Sequence, residues 1–144
     1  MLVRFKMVVE TSVLSICLTC RDGNEALTKT RGGARLAQAV LDRIDGKKVF
    51  ELRGVRCMSQ CKRPCIASLS ARECFTYVFG DLDPDRADHV DALLEFVSLY
   101  GAATEGFPKR EERPEALRAS ILGRFSPIDS NSPLVTYLTP EYAV

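Results

Sequence analysis

The sequence predicts a mixed α/β domain in the order strand, helix, strand, strand, strand, helix, with a C-terminal extension behind it. Three observations carry that reading. Short apolar or alternating runs at 12–18, 48–56, 66–71 and 74–80 have strand character. Two stretches, 33–44 and the segment after Pro84, repeat their apolar residues at helical spacing. Turn chemistry separates them at Arg21-Asp22-Gly23-Asn24, at Gly46 and near Arg72-Glu73.

The elements follow in order. Ser12 to Leu18 is short, apolar and partly β-branched, which fits a buried strand. Glu25 to Gly32 reads as either a helical turn or a loop. In the first helix, Leu36, Ala37, Val40, Leu41 and Ile44 share a face, and Gly46 stops it. In 48–56, Phe50 and Leu52 alternate with Glu51 and Arg53, giving a buried and a wetter face. Residues 66–71 and 74–80 form a hairpin. Asp83 is placed to cap the second helix and Pro84 to open it. Val90, Leu93, Leu94, Val97 and Tyr100 make its apolar face, and Gly101 ends it. The strand–helix–strand unit implies one parallel pair, to which the hairpin adds. Residues 102–144 are rich in proline, glycine and charge, with one short helix from Pro114 to Leu122. The chain thus divides into a domain at 1–101 and an extension at 102–144, either packed on the domain or binding a partner.

A chain of 144 residues supports one domain with a real core, and its 46% hydrophobic content is ordinary. A net charge of +1 gives no bulk field for nucleic acid or a membrane surface. No apolar run reaches the ~18 residues of a membrane helix. Met1 to Glu10 has Arg4 and Lys6 but lacks a cleavage pattern, so it does not read as a signal peptide; Met7 is a second candidate start. Six cysteines without a secretion signal point to a reducing, cytoplasmic setting, where clustered thiols serve metals or redox chemistry. With one histidine, no serine–histidine–acid arrangement can be argued, and the chain is not expected to be an enzyme.

The cysteines are the informative feature. Cys17 and Cys20 have two residues between them; Cys57, Cys61 and Cys65 are each separated by three. Thiolates suit zinc, copper(I) or iron–sulfur clusters. A 2Fe–2S cluster takes four of them, two on each iron. Loops following two parallel strands leave one end of the sheet, so the two groups should meet there. The basic residues Arg53, Arg56, Lys62 and Arg63 either lower thiolate pKa and offset cluster charge or are solvated surface charge. Cys74 reads as a small buried hydrophobe, and Tyr77 and Phe79 as core. His89 reads as a solvated helix residue, and Asp81, Asp83 and Asp85 as helix-start residues without the rest of a calcium loop. Gly32-Gly33 precede a helix without a fuller phosphate motif.

Cys57-Met-Ser-Gln-Cys61-Lys-Arg-Pro resembles the C-x-x-x-C pair, with a proline soon after, of thioredoxin-like 2Fe–2S ferredoxins. The small 2Fe–2S subunit of respiratory NADH dehydrogenase belongs to that group. Ile16-Cys17-Leu-Thr-Cys20, the run from Cys57 to Cys65, Tyr77-Val-Phe-Gly-Asp-Leu82 and Arg113-Pro-Glu-Ala-Leu-Arg118 resemble a bacterial family of predicted metal-binding proteins, over Ser15 to Pro127. That family is linked in places to cobalamin or cobalt metabolism. The resemblance implies a thioredoxin-like ferredoxin fold with Cys57 and Cys61 as the second ligand pair. The ferredoxins space their first pair more widely than Cys17 and Cys20, so Cys65 is an alternative to Cys20.

The expectation is therefore a small electron-transfer protein holding a 2Fe–2S cluster through Cys17, Cys20, Cys57 and Cys61. It would work with a redox partner protein, and a homodimer is compatible with it. A metal-binding accessory protein holding zinc or cobalt through the same thiolates is the alternative. A dithiol oxidoreductase using Cys17 and Cys20 is a third.

Overall fold

A computed structural model describes residues 11–44 and 49–141. The reading of residues 1–10, the helix stop at Gly46 and the strand start at residue 48 lie outside the described residues. The first strand, β1 (Val13–Cys17), leads through a short helix, α1 (Glu25–Thr28), into α2 (Gly32–Arg43). β2 (Glu51–Val55), β3 (Ala67–Ser70) and β4 (Thr76–Phe79) follow, then α3 (Ala87–Ala102). Three short 3-10 segments connect α3 to β5 (Ile121–Phe125).

The strands form one sheet in the order β2-β1-β3-β4-β5. β1 pairs parallel with β2, in the register Val13↔Glu51 to Cys17↔Val55. The β1–β3, β3–β4 and β4–β5 pairs are antiparallel. The expected parallel pair and added hairpin are both present. All of β1 except Val13 is buried, as a strand flanked on both sides should be.

α2 turns Leu36 and Val40 into the core, one helical turn apart. Leu41, expected on that face, is 53% exposed, because the buried stripe is narrower than the run of apolar residues. α3 buries Val90, Leu93, Phe96, Val97 and Tyr100. Around Phe96 the core is aromatic: Tyr77 meets it edge-on at 4.9 Å and Phe79 at 5.1 Å between centroids. The Tyr100 hydroxyl donates to the Phe75 carbonyl, which satisfies a buried polar group.

Three expectations are corrected. Residues 115–120 form a 3-10 helix, and the expected helix at 114–122 gives way at Ile121 to a fifth strand that pairs with β4. β5 is an edge strand, half-exposed over most of its length, so it lacks the alternation by which β2 could be recognised. The second helix starts at Ala87, after Arg86, and Asp83 does not cap it. Asp83 instead accepts the Asp85 N–H at 2.9 Å in a local turn. His89 is buried, and its Nδ1 accepts the Asp83 N–H at 2.9 Å; it ties that turn to α3 rather than facing solvent.

The aromatic cluster joins α3 to the sheet. Phe96→Ala should therefore destabilise the protein by about 3–5 kcal/mol, read as a fall in the urea midpoint at unchanged m-value.

Candidate metal centre

β1 and β2 are parallel, so the loops leaving them emerge at one end of the sheet. The Leu18 N–H donates to the Val55 carbonyl at 2.8 Å, extending the pairing to the loop mouths. β3 starts at the same end, and the Cys17 N–H donates to the Ile66 carbonyl at 3.0 Å. Cys65 is fastened to the segment before α3 by a reciprocal backbone pair with Leu82, both bonds 3.2 Å. In the second loop, Cys57 (φ 89°) and Ser59 (φ 57°) lie in the left-handed region, which turns the chain sharply at a cost L-residues rarely bear.

α2 closes over the first loop. A Cβ on Gly33 would lie 1.8 Å from the Cys17 carbonyl oxygen, so only glycine allows this approach. The Gly33 N–H donates to the Cys20 carbonyl at 3.1 Å, and Arg31 Nη1 donates to the Thr19 carbonyl at 3.0 Å. Glu25 gathers the turn between loop and helix. Its carboxylate accepts N–H groups from Asp22 at 2.9 Å, Gly23 at 3.1 Å and Gly32 at 3.2 Å. Behind the loop, the Arg35 guanidinium binds the Asp22 carboxylate and reaches both oxygens of Asp85 at 3.0 Å. Burial works to raise the Asp22 pKa, but the Arg35 hydrogen bond and the Asn24 N–H outweigh it and hold the carboxyl below its ordinary 3.8.

All six cysteines are free thiols. Cys17, Cys20 and Cys65 are buried, while Cys57 and Cys61 are exposed. The Cys17 Sγ lies 3.7 Å from the Thr19 hydroxyl, and the Cys17 and Cys20 thiols act on each other electrostatically. Burial opposes ionisation of Cys17, yet hydrogen bonds from the Thr19 hydroxyl, from Cys20 and from the Thr19 and Met58 N–H groups hold its pKa below the usual thiol value. Burial, and then the bond to Cys17, push Cys20 up to about 12 against an opposing Ile66 N–H; charge on Cys17 and Cys61 adds to the rise. Cys65 is likewise pushed up to about 12, by burial first and then by Cys20 and Asp22, with Arg35 opposing.

The second loop thus reaches the first: the Met58 backbone, next to Cys57, helps lower the Cys17 pKa, and charge on Cys61 raises that of Cys20. The Cys57 Sγ itself lies 3.8 Å from the Ser59 hydroxyl. Cys65 sits deeper than the sequence suggests and is electrostatically joined to both Cys17 and Cys20. Cys74 stands apart, half-buried in the β3–β4 turn at the other end of the sheet. Among the described residues, no group of three or more His, Cys, Asp or Glu side chains is close enough to hold a metal ion. The supporting roles of Gly33, Glu25, Asp22 and Arg35 were not read from the sequence; Gly32-Gly33 was the one local signal that a close approach occurs there.

A sheet of this order with paired thiol loops at one end defines a thioredoxin-like fold of the ferredoxin kind. The solved structures agree. The thioredoxin-like [2Fe-2S] ferredoxin from Aquifex aeolicus is similar over 82% of this chain and 96% of its own, at TM-score 0.52 and 15% identity. A cysteine-to-serine variant of that ferredoxin matches over 78% of this chain and 98% of its own, at TM-score 0.50 and 13% identity. Among curated proteins, none matches the sequence. The chain belongs to the family described as Protein of unknown function (DUF1636), whose pattern matches residues 14–127.

Two outcomes follow from this geometry. Gly33→Ala should cost about 1–3 kcal/mol, because the clash is with backbone that cannot rotate away. Asp22→Asn should remove an acid-sensitive contribution. With the folded pKa depressed, that contribution is present above the ordinary 3.8 and is lost as pH falls through the folded value. Urea titrations from pH 6 down to about 2 should show a shallower loss of stability in the variant than in the wild type.

Proposed function

We propose that the chain is a small electron carrier holding a 2Fe–2S centre through Cys17, Cys20, Cys57 and Cys61, and that it serves a redox partner protein rather than catalysing a reaction of its own. One observation carries this reading: the two thiol-bearing loops leave parallel strands at one end of the sheet, where the Leu18 N–H still donates to the Val55 carbonyl at 2.8 Å. The donor set is all sulfur, which suits iron–sulfur chemistry. In a binuclear centre each iron would take two thiolates, and the thiols are grouped on two loops. Such a centre supplies reversible one-electron transfer.

The chain's own residues do the rest. The Met58 and Ile66 N–H groups face the Cys17 and Cys20 sulfurs and stabilise negative charge there. Burial of Cys17, Cys20 and Cys65 keeps water from that side. Cys57 and Cys61 lie at the surface, on the side from which an electron can leave.

A second reading has its own support. Within Cys17-Leu-Thr-Cys20, the first thiol is held below the ordinary thiol value and the second pushed up to about 12, each shifted by the other. That asymmetry suits a dithiol that attacks with one sulfur and resolves with the other.

Anaerobic purification separates the two. A cluster carrier should be red-brown, with about two irons and two sulfides per chain. Cys57→Ser and Cys61→Ser should each abolish metal retention, and full retention in both would remove those ligands from the assignment. Cys20→Ser should lose the centre while Cys65→Ser keeps it; the reverse result would make Cys65 the fourth ligand. Metal-free protein whose Cys17 forms a mixed disulfide with a small disulfide reagent, resolved by Cys20, would establish the dithiol instead.

A further inference from the structure

The thiol end of the sheet has a charge pattern that the cluster itself does not require. From Leu52 to Arg72 the chain has no acidic residue, yet it carries Arg53, Arg56, Lys62 and Arg63 around Cys57 and Cys61. Arg63 is paired with Asp81, its Nε donating at 2.7 Å, and Arg53 is turned to the Ser15 hydroxyl at 2.8 Å. Arg56 and Lys62 are exposed. The other loop adds Arg21, next to Cys20, and Arg31, which its bond to the Thr19 carbonyl holds beside the thiols. Among the described residues, none of Arg21, Arg31, Arg56 and Lys62 forms an ion pair.

The opposite end differs. There the β3–β4 turn, the segment after α3 and the C-terminal extension enclose a cleft of about 470 Å³, lined by Glu73, Glu105 and Asp129 and by no lysine or arginine. The unpaired cations thus lie at the thiol end and the cleft carboxylates at the other. Such local charge orients an approaching charged partner before contact. Isolated cations on a surface are usually only solvated. Here four lie around two neighbouring loop mouths, while the local acids Asp22, Asp81 and Asp85 are taken up by Arg35 and Arg63 and leave the four unpaired.

We propose that the thiol end is the docking face for an acidic partner protein, gripped by Arg21, Arg31, Arg56 and Lys62 around the exposed Cys57 and Cys61. This rests on the electron-carrier reading, in which the partner must approach the centre, and it gives that partner a sign of charge. An acidic surface neutralises the rim, and complementary charge supplies orientation and encounter rate more than affinity. The carboxylates of the far cleft repel the same partner and disfavour the reversed orientation.

A fluorescein-labelled glutamate decapeptide, followed by anisotropy against the full chain as purified anaerobically, tests it. Binding should weaken as salt is raised, and a matched lysine decapeptide should bind less well at low salt. The double reversal Arg56→Glu with Lys62→Glu should weaken binding by about tenfold at low salt. The same reversal at Lys109 and Arg110, on the connection between α3 and β5, should leave it unchanged. A rim variant that binds like wild type overturns the proposal, as does equal loss in the Lys109/Arg110 variant or tighter binding of the lysine peptide. Iron and sulfide content of the same samples keeps the two readings apart. A loaded chain without rim-dependent binding loses the docking face alone. A chain that binds through the rim but never holds iron and sulfide loses the electron-carrier reading and keeps the acidic-partner surface.

Discussion

The parallel pairing of β1 with β2 is the constraint on which the site depends. Cys17 stands opposite Val55, so a chain that separates Cys17 from Cys57 by a whole helix returns them to one edge of the sheet. An antiparallel pair would have sent the two loops to opposite ends. The crossover through α2 makes the parallel pair possible, and α2 then stays on as part of the site. Its first turn is pressed against the Cys17–Cys20 loop so closely that residue 33 has no room for a side chain.

That closeness has an electrostatic use. The amino end of a twelve-residue helix carries partial positive charge, and here it lies against the carbonyls of Cys17 and Cys20. Glu25 and Asp22 sit at the same end, Glu25 on backbone N–H groups and Asp22 against Arg35. These acids satisfy the N–H groups of the loop and of the helix end. The buried side of the site is built from helix and turn, and the exposed side from the Cys57–Cys61 loop.

Much of this was legible in the sequence, for physical reasons. The buried strand around Ile16, the hairpin about Arg72-Glu73 and the long helix through Phe96 all carry strong periodic or turn signals, and their order forces the meeting of the two cysteine loops. What could not be read depends on neighbours. β5 is an edge strand whose partner, β4, lies some forty residues earlier, beyond the boundary expected at residue 101. His89 sits in an amphipathic helix like a surface residue, and its burial comes from a turn folded back over it. Leu41 has the periodicity of the core but no partner to cover it. Gly33 shows only as a glycine before a helix; its necessity comes from a carbonyl sixteen residues upstream.

Burial of the thiols also sets how a centre held by them would depend on pH. Cys20 and Cys65, both pushed up to about 12, are held protonated near neutral pH by burial and by their neighbours. Thiolate ligands must lose their protons, so loading a centre here releases them and becomes easier as pH rises. Cys17, held below the ordinary thiol value by four hydrogen bonds, gives up its proton most readily among the buried thiols. If a metal binds at this end of the sheet, as proposed, Cys17 would be the buried thiol most readily ionised for it, with Cys57 and Cys61 exposed on the other loop. In the electron-carrier reading the exposed Cys57 and Cys61 and the readily ionised Cys17 would bind first, and the burial that keeps Cys20 protonated would shelter its bond to the centre.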